Sequence, residues 1–158
     1  NCVFEKFINH NGILFKLYTL FKFWYVVKRS SFNNIDPSSN NDTCIQFETN
    51  IFNQIHKMDQ TELKSHINDT KQEPKLCYDN KKPQNNTEYK IFNKIAVAIQ
   101  KVTNCQLLGI DVIRDTKSSN YYIIDINYFP SYRYIPTFKS DLLSQAYEFI
   151  TQNKLLNS

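Results

Sequence analysis

Two aspartates and an asparagine stand where the chain is otherwise built for burial. They occur in Leu107-Leu108-Gly109-Ile110-Asp111-Val112-Ile113 and in Tyr122-Ile123-Ile124-Asp125-Ile126-Asn127-Tyr128-Phe129-Pro130. A carboxylate among such residues pays on the order of several kcal/mol in desolvation unless it is paired or holds a metal. Alternate strand residues share a face, so Asp125 and Asn127 point the same way. A hairpin symmetric about Ser118 sets Asp111 opposite Asp125, bringing two carboxylates and an amide oxygen onto one surface. Carboxylates that close repel unless a divalent cation holds them, and three hard oxygen donors suit Mg²⁺. The competing expectation is two solvated acids on an ordinary half-exposed sheet. Lys16 raises a similar question. In Ile13-Leu14-Phe15-Lys16-Leu17-Tyr18 a period of two puts it with Leu14 and Tyr18, so it either snorkels to an edge or is aimed into a site.

The elements that must position these groups follow from patterning. β-branched and aromatic runs separated by turn residues read as strands over Val3 to Ile8, Ile13 to Leu20 and Phe23 to Lys28. From Asn33 to Asn86 the chain turns polar, with Pro37, Pro74 and Pro83, and reads as a long loop or disordered insertion; a short helix over Gln60 to Ile67 is its only expected element. A helix follows from Thr87, its N-cap, to Thr103, burying Phe92, Ile95, Ala96, Ile99 and Val102. Strands Gln106 to Arg114 and Tyr121 to Phe129 form an antiparallel hairpin, and a last helix from Ser140 to Thr151 buries Leu142, Leu143, Ala146, Phe149 and Ile150. Three strands, a helix, two strands and a helix make an α+β layer structure.

Composition narrows the chemistry. With 158 residues, 41% of them hydrophobic, the chain forms one domain or part of one. It has 2 glycines, which excludes the phosphate-binding P-loop and the glycine-rich dinucleotide turn. The net charge of +4 rests on scattered lysines, with Arg29, Arg114 and Arg133 the only arginines, and suits a small polyanion at least as well as nucleic acid. Cys2, Cys44, Cys77 and Cys105 show neither zinc-site nor disulfide spacing and read as free cytosolic thiols, giving a cytoplasmic location. No stretch is long and apolar enough to span a membrane. The chain opens on Asn1, as a processed protein or the downstream piece of a longer one would.

Gly109-Ile110-Asp111, Ile124-Asp125-Ile126-Asn127 and Phe129-Pro130 together resemble the metal-binding hairpin at the C-terminal end of ATP-grasp kinases, and more narrowly of the inositol-tetrakisphosphate 1-kinases (inositol 1,3,4-trisphosphate 5/6-kinases). Glu5-Lys6-Phe7-Ile8-Asn9-His10-Asn11-Gly12-Ile13-Leu14-Phe15-Lys16 is similar to that family's nucleotide hinge and lysine strand. Val26-Val27-Lys28-Arg29-Ser30-Ser31 is similar to the strand that follows. The matching blocks lie in residues 1–34 and 90–150, flanking a polar insertion over 35–86, so the resemblance is to the C-terminal part of an ATP-grasp fold.

The resemblance implies a role for each matching position. The backbone of Glu5, Lys6 and Phe7 meets the adenine edge, with Ile8, Asn9, His10 and Asn11 completing the hinge and Ser31 touching the nucleotide. Lys16 reaches the phosphates of both ATP and the inositol phosphate, and Arg29 clamps phosphate. Asp111, Asp125 and Asn127 hold Mg²⁺, two ions in all, and Asn127 and Ser131 border the substrate. The implied partners are ATP and an inositol polyphosphate, with no nucleic acid or membrane, acting on a monomer. Two positions depart from the family: glutamine is usual at Glu5 and glycine at Ser131. His10, in an Asn-rich turn, reads from the residues alone as solvated. The family's N-terminal domain and the first half of its ATP-grasp fold have no counterpart in these residues, so the chain alone is expected to show little kinase activity. Alternatives are an ATP-grasp carboxylate–amine ligase and a non-catalytic remnant of the kinase fold.

Overall fold

The computed structural model describes residues 5–36 and 74–156, with side chains as far as residue 152. Five strands form one antiparallel sheet. β1 (Ile13–Leu20) and β2 (Phe23–Ser30) make a hairpin joined by Phe21 and Lys22; β3 (Lys75–Asp79) adds outside β2. Helix α1 (Thr87–Thr103) precedes β4 (Leu107–Arg114) and β5 (Tyr121–Tyr128), and helix α2 (Phe138–Leu156) ends the chain. The spatial order is β3-β2-β1-β4-β5, with β1 at the centre and β5 at an edge.

The period of two divides the sheet into two faces. On one, Phe15, Leu17, Trp24, Val26, Leu108, Ile110 and Val112 pack against Phe92 and Ala96 of α1. Burying this layer supplies the main apolar driving force. On the other, Tyr18, Leu20, Tyr25 and Val27 are covered by Tyr132 and Ile135 from the loop after β5, with Leu142 of α2 at its margin. Lys16 and Asp111 lie on this second face, beyond the edge of that cover.

Several expectations are corrected. From Glu5 to Ile8 the chain forms no strand, while Val3 and Phe4 lie outside the described residues. β1 already has a neighbour on each side, so this segment finds no free edge there; it is tied instead through Asn9 to Ile35 and Thr116 and through Asn11 to Asn34. The fifth strand comes from the polar stretch, where Lys75–Asp79 pairs with β2; the helix expected over Gln60 to Ile67 lies outside the described residues. The N-cap of α1 is Asn86, whose side-chain oxygen accepts from the Tyr89 amide at 2.7 Å, and not Thr87. Asn is the stronger cap, and Thr87 becomes the first helical residue. Val102 is 82% exposed, because α1 outruns the sheet that it covers. Leu143, Phe149 and Ile150 are exposed too: near the start of α2, Leu142 packs on the sheet and Asp141 accepts from Tyr25, while Phe149 meets Phe21 in the β1–β2 turn. Cys77 and Cys105 are free thiols; Cys2 and Cys44 lie outside the described residues.

Candidate functional site

Strand register brings the charged residues together. Lys16 of β1 is the cross-strand partner of Asp111 of β4, which is in turn the partner of Asp125 of β5. Asn127, two residues on, faces Gly109. The symmetric hairpin fails by one residue beyond this point: a bulge puts Val112 opposite Ile123 and leaves Ile124 as the extra residue. The bulge falls between the turn and Asp125, and it makes the opposition: the register of Val112 and Ile123, continued without it, would set Asp111 against Ile124.

Lys16 is buried and Asp111 half-buried, with side chains 10% and 17% exposed, and their charges meet at 2.7 Å. The ammonium approaches Asp111 Oδ1 out of line for a hydrogen bond, and that buried oxygen has no hydrogen-bond donor among the described residues. The ammonium answers its charge, and the oxygen keeps lone-pair capacity that a hard cation would use. Asp125 is exposed and accepts from the Asn127 amide nitrogen. With that nitrogen engaged, the Asn127 amide oxygen remains for a ligand. The donor set is therefore two carboxylates and an amide oxygen on one face, which fits Mg²⁺; no third His, Cys, Asp or Glu joins it among the described residues.

Gly109 makes room for this arrangement. A Cβ there would meet the Pro130 ring at 2.8 Å and Lys16 Cε at 3.2 Å. Phe129 takes a positive φ of 43°, turning the chain out of β5 so that Pro130 folds back over Gly109. The loop is then locked: Tyr132 donates to the Thr19 carbonyl at 2.9 Å and stacks on Phe138 with ring centres 4.2 Å apart. Sequence reasoning used Gly109 only as part of a motif, and its packing role had no separate signal. The same lock brings Tyr132, Arg133 and Tyr134 beside the site.

The segment before β1 is built around His10, which is 6% exposed and so not the solvated turn residue expected. Its Nδ1 lies 2.7 Å from the Ile8 carbonyl and its Nε2 3.0 Å from Ser31 Oγ. A carbonyl only accepts, so Nδ1 donates to it, and with the ring neutral Nε2 accepts from Ser31 Oγ. Ser31 Oγ is left with acceptor capacity alone. Glu5, Lys6 and Phe7 are exposed, with no hydrogen bond to another described residue. Arg29, on the site face near the end of β2, lies 5.8 Å from the Tyr134 ring centre. Burial pushes the Tyr18 phenol above its ordinary range; Arg29 pulls it back and Asp111 adds to the rise, so both charges act on this part of the sheet. Ser131 is exposed on the loop beyond Pro130. The structure thus gathers Lys16, Asp111, Asp125 and Asn127 into one cluster, and holds Ser31 with His10 in a second one at the far ends of β1 and β2.

The family model of the inositol 1,3,4-trisphosphate 5/6-kinase ATP-grasp domain matches residues 1–148. Among curated relatives, an inositol-tetrakisphosphate 1-kinase of Danio rerio is 32% identical over 148 residues, covering 90% of this chain and 33% of its own length. One from Xenopus laevis is 27% identical over 143 residues, covering 90% of this chain and 33% of its own. Inositol-tetrakisphosphate 1-kinase 1 of Arabidopsis thaliana is 29% identical over 154 residues, covering 95% and 44%. The chain spans between a third and a half of the length of these relatives.

Proposed function

The chain belongs to the inositol 1,3,4-trisphosphate 5/6-kinase ATP-grasp family, and from that premise we propose that it carries the metal-binding and part of the nucleotide-binding machinery of a kinase that phosphorylates inositol polyphosphates from ATP. The observation that carries this reading is the row Lys16–Asp111–Asp125 across three adjacent strands, with Asn127 beside it. Phosphoryl transfer asks a protein mainly for positioning and for charge to offset what develops on the moving group. Asp111, Asp125 and Asn127 would hold Mg²⁺, which when bound draws negative charge from the ATP phosphates. Lys16, its stem fixed over Gly109, offers an ammonium to the transferred phosphoryl group, and Arg29 offers a fork to a neighbouring phosphate. The backbone of Glu5–Phe7 is free to meet the adenine edge. Ser31, an acceptor toward any ligand, suits a ribose hydroxyl better than a phosphate.

The test is equilibrium binding of ATP to this chain with and without Mg²⁺, followed by transfer of labelled phosphate to inositol phosphates. Metal-dependent ATP binding, with slow transfer by the chain alone and fast transfer by a protein that also carries the remaining length of its relatives, is the expected result. ATP binding that ignores Mg²⁺ would sink the metal role, and phosphate transfer to a carboxylate substrate instead would favour a ligase.

A further inference from the structure

The loop after β5 carries an arginine, Arg133, that the nucleotide and metal reading leaves unused. Arg133 and Arg29, far apart in sequence, both lie against the ring of Tyr134, with guanidinium carbons 4.6 Å and 5.8 Å from its centre. Contact with an aromatic face fixes a guanidinium while leaving N–H groups at its edge for an anion. Neither arginine has a carboxylate within ion-pair distance among the described residues. Both act on the charge of Tyr18, as Asp111 does, so Arg133 stands at the same part of the sheet as Lys16 and Asp111.

The platform under Arg133 is rigid. Tyr132 is pinned to Thr19, the Ile135 amide bonds back to the Tyr132 carbonyl at 2.9 Å, and the Phe138 amide to the Ile135 carbonyl at 3.1 Å. Two like charges held by one ring repel each other, and an anion reaching both offsets that repulsion. Planar forks are also the best side-chain match to phosphate oxygens.

We propose that Arg133 and Arg29, both held on Tyr134, form an anion subsite that binds a phosphate of the inositol polyphosphate other than the group being transferred at Lys16. The identity of the anion rests on the kinase reading; the subsite itself rests on the two arginines and the ring. Arg133 is the new assignment. It is a binding residue for the substrate's standing phosphates and sets how many phosphates the substrate must carry.

Calorimetric titration of this chain with inositol hexakisphosphate tests it. Arg133→Ala should weaken binding about tenfold, the scale of one charge-assisted contact. Arg133→Lys should recover part of that loss, because it keeps the charge and loses the fork. Tyr134→Leu removes no charge, yet should weaken binding roughly threefold by releasing both guanidinium groups. Lys90→Ala, on exposed α1 across the sheet, should leave the affinity where it was. Unchanged binding in Arg133→Ala, or equal losses in Arg133→Ala and Lys90→Ala, would show that only bulk charge is at work and overturn the subsite. The kinase reading fails separately. Polyphosphate binding that depends on Arg133, alongside ATP binding indifferent to Mg²⁺ and to Asp125, keeps the subsite and removes the metal role. A chain that binds Mg²⁺–ATP but not the polyphosphate keeps the nucleotide role and removes the subsite.

Discussion

Asp111 and Asp125 face each other across one strand pair, yet the protein treats them differently. Asp111 sits on β4, flanked by strands on both sides, in contact with the Lys16 ammonium and sheltered from water. Asp125 sits on the edge strand β5, where every residue after Tyr121 is exposed, and its partner among the described residues is the neutral Asn127. The charge of the first is met inside the fold. The charge of the second is left for something outside it. A sheet can build a metal and phosphate site this way: the interior strand fixes one oxygen ligand and the ammonium, and the edge strand presents the remaining oxygens to the ligand.

The largest expected effect comes from cutting the interior half. Asp111→Ala strands the Lys16 ammonium in a buried setting and should cost about 3–5 kcal/mol of unfolding free energy, read from urea denaturation. Lys16→Met with Asp111→Leu removes both charges and should recover most of that stability while abolishing ATP binding. A cost for Asp111→Ala below about 1 kcal/mol, the range of an exposed ion pair, would break the contrast between the two acids.

Next in size is Gly109→Ala. The added Cβ would press on Pro130 at 2.8 Å and on the Lys16 stem at 3.2 Å, neither of which yields without moving the loop or the ammonium. Overpacking of this kind should cost about 1–3 kcal/mol and shift the loop that carries Tyr132 to Tyr134. The readouts are the denaturation midpoint and proton chemical shifts of the Tyr132 and Phe138 rings, which should lose their mutual stacking shifts. Unaltered ring shifts would mean that Pro130 does not depend on Gly109 for its seat.

How much of this was legible in the sequence follows the same division. β1, β2, β4 and β5 were readable because their apolar and aromatic residues are continuous or alternate; the expected opposition of Asp111 and Asp125 is present, but through a bulge and not through the length of the connecting loop. The bulge at Ile124 was not legible, since Ile123 and Ile124 fit either register equally well. β3 was hidden because Lys75, Leu76, Cys77, Tyr78 and Asp79 have one strong apolar alternation at most; pairing with β2 makes them a strand. The exposed apolar residues of α2 misled in the opposite direction: helical spacing shows that a face exists, not that the described residues bury it. His10 was misjudged because an Asn-rich turn masks a long-range partner, Ser31, that no local pattern reveals.

A third aspartate calibrates the contrast in acid. Asp141 accepts from Tyr25 at 2.6 Å and from Lys81 at 2.8 Å. Partial burial pushes its pKa up, but the donors Lys81, Thr137 and Tyr25 outweigh that and hold it below its ordinary value of 3.8. A carboxyl with a depressed folded-state pKa adds stability at pH above its unfolded value, and that stability is lost as pH falls through the folded value. The acid limb of the stability curve below about pH 4 should therefore flatten in Asp141→Asn. Identical acid limbs for wild type and Asp141→Asn would remove Asp141 as the example of an acid satisfied by the fold.

The smallest expected effect on stability is the most informative about function. Asp125→Ala removes an exposed carboxylate from an edge strand and relieves some repulsion toward Asp111, so unfolding should change by no more than about 0.5 kcal/mol in either direction. Mg²⁺-dependent ATP binding should nevertheless disappear, because an oxygen donor is lost from a set of three while Lys16 and Asp111 stay in place. Asn127→Ala should behave alike but more mildly, as a neutral amide contributes less to holding a divalent cation than a carboxylate does. The measurement is a paired one, thermal unfolding and nucleotide titration on the same sample. A large loss of stability in Asp125→Ala would mean that the edge acid is held by the fold as Asp111 is. Unchanged metal-dependent binding would mean that the edge strand presents its carboxylate to nothing, and a remnant of the kinase fold would then be the better description of this chain.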